Sequence, residues 1–377
     1  MQILTDQSQY NNIHGKIGLI DADLLDGGTR FPNLVIEKLS GYYKERGLDI
    51  SLICSYKDLD PSTYDTIFLS RVFDFTEVPE EILAAPNVYV GGTGFFFDKA
   101  TPLPYSIEHH MPDYHIYDRY IELNKTRFKA KNYFDNYNYS VGFATRGCFR
   151  QCPFCVNQNY KKVEFNAHIS EFYDPSTKGI VLLDDNILGY SKWHEILTEL
   201  HEINRPFMFK QGMDIRLMTV DKAKMLNDSK YIDRFIFAFD NINDRPQVEH
   251  GLAIWREYCK RRSMLYVLTG FYSQDAEDIK AIFERCDVLE KYDCLPYLMR
   301  HKNYLNSPYK GLYISLARWM NQHNMFKNKT FREFVNVSQS QIKREGFIGA
   351  DLRALRQFEN DCPEIAKKWF DKRYNIS

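Results

Sequence analysis

The strongest constraint on this chain is its repeated alternation of short apolar runs with amphipathic stretches. From residue 139 the apolar runs are YSVGFAT (139–145), GIVLLDD (179–185), PFMFKQG (206–212), RFIFAFD (234–240), MLYVLTGF (264–271) and DCLPYLM (293–299). Runs this short and this rich in β-branched and aromatic residues read as buried parallel strands. Between them lie helical stripes. Ser191 is placed to cap a helix burying Trp193, Ile196, Leu197 and Leu200. A second helix aligns Val248, Leu252, Trp255 and Cys259, and a third Ile279, Ile282, Phe283 and Cys286. Six such units are too few for a closed eight-stranded barrel. They predict a partial one, with its chemistry at the carboxyl ends of the strands.

An earlier stretch alternates in the same way. KIGLIDAD (16–23), DISLIC (49–54), TIFLSRV (66–72) and NVYVGG (87–92) read as four strands. Asn33 is placed to cap a helix carrying Val35, Leu39 and Tyr42, and Gly47 stands where a left-handed helix terminus is expected. The expected fold class is therefore α/β. A small doubly wound parallel sheet comes first, then the partial (β/α)6 TIM-like barrel, then a helical C-terminal tail from about residue 306. Residues 94–138 read as a connector, with one helix near 117–131.

The sharpest chemical signal is TRGCFRQCPFC (145–155), directly after the first strand of the six. Its CxxxCxxC spacing puts three thiols, Cys148, Cys152 and Cys155, on one loop. Iron–sulfur clusters are held by cysteine thiolates. Three thiolates on a four-iron cube leave one iron open to a substrate or cofactor. A structural zinc site prefers four ligands in two separated pairs, and no second CxxC exists here. Neither His168 nor His194 has the usual spacing for a fourth ligand. Three structural cysteines beside Gly147 and Pro153 are the remaining alternative.

Bulk properties set the context. With 49 basic and 50 acidic residues in 377, the net charge of −1 gives no electrostatic reason to expect nucleic acid or a membrane as partner. No stretch approaches the roughly 18 apolar residues of a membrane span. The first 15 residues lack the order of a signal peptide. The chain reads as cytoplasmic, where cysteines stay reduced. Cys259 and Cys286, on helical stripes, read as buried small hydrophobes.

The CxxxCxxC loop, with the aromatic Phe154 before its last cysteine, resembles the radical S-adenosylmethionine (SAM) superfamily. TRGC, LLDDNILG (182–189) and QGMDIRLMT (211–219) resemble an uncharacterised two-domain group within it. The resemblance implies a 4Fe-4S cluster on the three cysteines, with SAM chelated at the open iron. One electron then cleaves SAM to a 5′-deoxyadenosyl radical, which takes hydrogen from a substrate the sequence does not specify. It implies a flavodoxin or ferredoxin-type reductant. It also implies a cobalamin-binding-type domain over 1–93, a connector over 94–138, a radical SAM partial barrel over 139–305 and a helical region over 306–377.

Within that resemblance Phe154 contacts adenine. Asp185 and Asn186 accept from the SAM ammonium, a role to be weighed against capping of the next turn. Arg216 pairs with the SAM carboxylate through its planar fork and Asp214 binds ribose, or else the two form an internal salt bridge. Gln211 lies in the same segment. Asp240, Asn241, Thr269 and Gly270 end later strands, as substrate groups or caps. Arg146 and Arg150 flank the cluster loop, easing electron entry or solvating the loop.

Cobalamin-binding relatives carry DxHxxG after their first strand, and DADLLDG (21–27) has no histidine. Cobalamin is therefore not expected. A cobalamin-dependent methylase, and a non-catalytic metal-stabilised binding module, are the alternatives.

Overall fold

The computed structural model describes residues 1–27, 31–57, 59–128, 133–342 and 346–376. The chain divides into two compact units. One comprises Met1–Asp184 and Tyr190–Phe207, the other Asp185–Gly189 and Met208–Ser377.

The first unit opens with four parallel strands, β1 (Lys16–Asp21), β2 (Asp49–Leu52), β3 (Thr66–Ser70) and β4 (Val88–Gly91), in the order β2-β1-β3-β4. This is the doubly wound arrangement the alternation predicts. Its chain order reverses direction between β1 and β3, which puts a crevice at their carboxyl ends. Helix α1 (Leu34–Glu45) packs on this sheet. Its first turn is fixed as expected, the Asn33 side chain accepting from Val35 N–H at 3.1 Å. Gly47 follows with φ +76° and ends the helix in the left-handed region. Leu19, Ile36, Leu39, Tyr42, Tyr43 and Phe68 fill the core beneath α1. On the other face Ile20, Ile67, Leu69 and Val88 form a second core.

The connector carries short helical turns and the helix Asp118–Asn124, shorter than the 117–131 expected; residues 129–131 lie outside the described set. Three further strands follow, β5 (Ser140–Gly142), β6 (Ile180–Leu182) and β7 (Phe207–Phe209), adjacent in that order, with β5 and β6 parallel. Helix α2 (Trp193–Ile203) precedes β7 and buries Ile196, Leu197 and Leu200. Ser191 does not cap it. Lys192 takes the cap position and no side chain bonds there, so the apolar stripe rather than a cap fixes this helix.

The second unit alternates α3 (Val220–Asn227), β8 (Phe235–Ala238), α4 (Arg245–Tyr258), β9 (Ser263–Thr269), α5 (Ala276–Lys291) and β10 (Cys294–Arg300). Its strands form one parallel sheet in sequence order, β8-β9-β10. The stripes Val248, Leu252, Trp255 and Ile279, Ile282, Phe283, Cys286 are all buried, as is Cys259 at the end of α4. Helices α6 (Lys310–Asn321), α7 (Phe331–Ser340), α8 (Ala350–Asp361) and α9 (Pro363–Trp369) follow β10. Among the described residues no helix is long and apolar enough to cross a membrane.

Candidate metal and cofactor site

The six strands of the two later sheets run in chain order, so the segments leaving their carboxyl ends are the places to look for chemistry. The cysteine loop leaves β5. Its entry is held by one buried carboxylate. Asp184 accepts from Ala144 N–H at 3.2 Å, Thr145 N–H at 2.7 Å and the Thr145 hydroxyl at 2.6 Å. A short antiparallel pair, Thr145–Arg146 with Glu164–Phe165, then closes the base of the loop. Gly147 turns the chain with φ +87°, and a Cβ there would stand 2.6 Å from the Tyr160 ring and 2.7 Å from the Lys162 carbonyl oxygen. Both backbone angle and space demand glycine.

Past that turn the loop hydrogen-bonds to itself. Arg150 N–H points to Cys148 Sγ and Asn157 N–H to Cys155 Sγ, each at 3.4 Å, and Cys155 N–H donates to Cys152 O at 2.9 Å. Gln158 ties back to the Pro153 carbonyl oxygen at 2.7 Å. Backbone N–H groups aimed at sulfur favour the thiolate form and tune cysteine-held clusters. Cys148, Cys152, Cys155 and Phe154 are all half-buried, accessible from outside the loop. Among the described residues no cysteine is in a disulfide. Nor, among them, are three His, Cys, Asp or Glu side chains drawn together as a single ion requires. Three soft thiols on one loop, two of them receiving backbone N–H groups, fit a multi-iron cluster, in which each thiolate meets its own iron. The loop also lacks the fourth ligand that a structural zinc takes.

Arg146 does not stand alone beside this loop. Its guanidinium lies 3.3 Å from the centre of the Phe143 ring and donates to Glu108 at 3.1 Å. Glu108 also pairs with Lys38 at 2.8 Å. Burial alone would lift the Glu108 carboxyl, but the two cations outweigh it and hold it below the usual range.

The second unit brings two of the polar segments together. Lys222, on α3, donates to Leu188 O at 2.8 Å and to Leu217 O at 2.9 Å. It thus ties Asp185–Gly189 to the turn that follows Asp214. Burial draws its ammonium below the ordinary lysine range. In that turn Arg216 meets Asp214 through Nε at 2.7 Å and Nη2 at 3.2 Å, and reaches Asp244 through Nη1 at 2.7 Å. Asn186 and Asp214 are buried, Asp185 half-buried and Gln211 exposed. Asn241 caps the next turn, accepting from Asn243 N–H at 3.0 Å. Asp278 takes Thr269 Oγ1–H, Gly270 N–H and Tyr313 O–H. Burial lifts Asp240 to about 6, against the pull of Arg285 and Arg216.

Two residues absent from the sequence reading organise these segments. Asp184 was overshadowed by its neighbours Asp185 and Asn186. Lys222 carries no motif, and its helical position reads as surface.

At the N-terminal sheet the acids of DADLLDG are used internally. Asp23 accepts from Val72 N–H at 2.7 Å, Phe73 N–H at 3.2 Å and the Thr76 hydroxyl. Asp21 accepts from Tyr117 O–H at 2.9 Å and Leu24 N–H at 3.2 Å.

No protein-family model matches the chain, and no curated protein matches it. Among solved structures, the radical S-adenosylmethionine methyltransferase TsrM from Kitasatospora setae, solved with cobalamin and a [4Fe-4S] cluster bound, superposes with a TM-score of 0.50. The match covers 76% of this chain and 75% of that one at 11% identity. At that identity the likeness is one of fold.

Proposed function

We propose that this chain is a radical SAM enzyme whose Cys148, Cys152 and Cys155 hold a 4Fe-4S cluster with one iron left for SAM. The observation that carries the reading is the CxxxCxxC loop, leaving the strand β5 of a parallel pair, in a fold similar to that of a radical SAM enzyme. When bound, the cluster supplies the electron that cleaves SAM to a 5′-deoxyadenosyl radical, which abstracts hydrogen from substrate.

The chain's own residues position and shield this chemistry. Asp184 fixes the root of the cysteine loop. The N–H groups of Arg150 and Asn157 point at the sulfurs of Cys148 and Cys155. Asp185 and Asn186 accept from the SAM ammonium, and Phe154 packs on adenine. Arg216 turns its fork from the internal carboxylates to the SAM carboxylate, releasing Asp214 for ribose, with Gln211 beside them. The six strands form one partial barrel over 139–305, preceded by the domain 1–93 and the connector 94–138 and followed by the helical region 306–377. A flavodoxin or ferredoxin-type protein reduces the cluster, in the cytoplasm.

We place this chain apart from the cobalamin-dependent methylases. The loop after β1 offers no histidine, and its acids are engaged by Tyr117, Thr76 and main-chain N–H groups.

The test is anaerobic purification of the full chain, cluster reconstitution, and reduction in the presence of SAM. The expected result is a brown protein with four irons and four sulfides that releases 5′-deoxyadenosine. A protein that takes up zinc but no iron would instead favour a metal-stabilised binding module. Cobalamin retained after reconstitution would favour the methylase.

A further inference from the structure

Within the first unit a cavity of about 450 Å³ opens at the carboxyl ends of β3 and β4. That volume lies in the range of sites for small organic molecules. Its position beside the reversal between β1 and β3 is where open parallel sheets take ligands. Its floor is apolar, from the buried side chains of Leu4 in the N-terminal segment, Leu39 on α1, and Phe68 and Val90 in the sheet. Its opposite wall comes from the cysteine loop: Val156 and Asn157 follow Cys155 directly, and Arg146 precedes the first cysteine.

The wall carries one cation, Arg146, and two acids, Glu108 and Asp98. Arg146 shares the carboxylate of Glu108 with Lys38, which lies outside the cavity lining. The next carboxylate, Glu171, is held by His109 at 2.7 Å. Asp98, the other acid of the wall, stands on the segment that meets Asn159 through its main-chain carbonyl. Arg146 spends only Nη2 on Glu108 and its face on Phe143. Its Nε–H and Nη1 group donate to no acceptor among the described residues. A guanidinium edge at the side of an apolar cavity suits an oxyanion.

One residue of the wall is conspicuously small. Gly91, at the end of β4, has no atom within 4 Å of where a Cβ would stand, and its φ is not left-handed. Neither crowding nor backbone angle requires glycine there. What glycine does is keep the cavity open.

We infer that this cavity binds an amphipathic anion: an apolar body on the Leu4, Leu39 and Phe68 floor, and one carboxylate, sulfonate or phosphate group on Arg146. The site rests on its own geometry. Its further role, as the place where the substrate lies beside the cysteine loop, rests on the proposed function.

The test uses the full-length chain with two fluorescent probes of like shape. These are 1-anilinonaphthalene-8-sulfonate, which carries an anion, and the uncharged N-phenyl-1-naphthylamine. The sulfonate is expected to bind saturably at one site per chain. Gly91→Phe fills the cavity and should weaken both probes at least tenfold with thermal midpoint unchanged, while Gly91→Ala stays within twofold. Arg146→Gln should weaken the sulfonate about tenfold and the neutral probe less than twofold.

Unchanged binding in a folded Gly91→Phe chain overturns the site. It would place the probe on exposed apolar surface such as the stacked pair Phe73 and Phe75. Equal effects of Arg146→Gln on the two probes overturn the anion. Probe binding in a chain that makes no 5′-deoxyadenosine leaves the site standing and removes the radical reading; the reverse result removes the site alone.

Discussion

The cysteine loop of the first unit and the Asp214–Arg216 turn of the second both follow a strand, yet they handle charge in opposite ways. The turn is closed upon itself. Its guanidinium meets two carboxylates and its neighbouring carbonyls meet a buried lysine. The loop is anchored at its root by Asp184, and beyond that it directs backbone N–H groups at two of its own sulfurs. A segment whose charges already balance stays ordered without a ligand. One that carries three thiols and aims N–H groups at two of them leaves them open to be completed by something positive. Under the proposed function the loop is a metal centre and the turn a cradle that exchanges partners on binding.

The sharpest way to break that contrast is to remove a sulfur. Cys148→Ala, Cys152→Ala and Cys155→Ala should each reduce iron content and 5′-deoxyadenosine formation to background, with far-ultraviolet circular dichroism intact. Full activity in any one of them would end the assignment of the loop. Next in size is the anchor. Asp184 is buried and satisfies three donors, so Asp184→Ala should cost about 3 kcal/mol in urea denaturation and lower iron uptake as well. Loss of iron without loss of stability would mean that Asp184 serves the metal and not the loop.

Acidity offers a third probe, because the N-terminal sheet treats Asp21 and Asp23 unequally. Asp23 meets three donors, whereas burial pushes the less well-served Asp21 up to about 7 from an ordinary 3.8. A carboxyl raised on folding contributes fully below its unfolded value, and that contribution is lost as pH climbs through the folded one. Stability of the first unit should therefore fall between about pH 4 and pH 7, by an amount on the order of a few kcal/mol. Glu37, raised likewise by its burial, adds to the decline. Asp21→Asn should flatten the lower part of the curve, and a wild-type profile level from pH 4 to 8 would contradict the assignment.

The smallest effect tests the turn. Arg216→Lys keeps the charge but loses the fork, and should weaken SAM binding roughly tenfold while altering the thermal midpoint by only a few degrees. Unaltered SAM affinity would make the turn purely architectural.

Much of this was legible in the residue order, and the parts that were not share a cause. Strand periodicity, the Asn33 cap and the three cysteines are local signals, settled within a few residues. Asp184 and Asp185 look alike on paper; which of them turns inward depends on how β6 ends. Arg216 finds Asp244 across 28 residues, a pairing that no local pattern encodes. Ser191 offered a good cap and went unused, because the apolar face of α2 sets where that helix begins. Lys222 was hidden for the opposite reason. A lysine on an amphipathic helix ordinarily faces water, and nothing in its neighbours signals the two carbonyl oxygens waiting for it.

That lysine has a consequence for how the second unit tolerates change. Lys222 grips main-chain oxygens at 188 and 217, and every residue type supplies the same oxygen. The two gripped positions are therefore at liberty to vary, provided the chain path is kept. Position 222 has no such latitude, since no other side chain brings an ammonium to that depth.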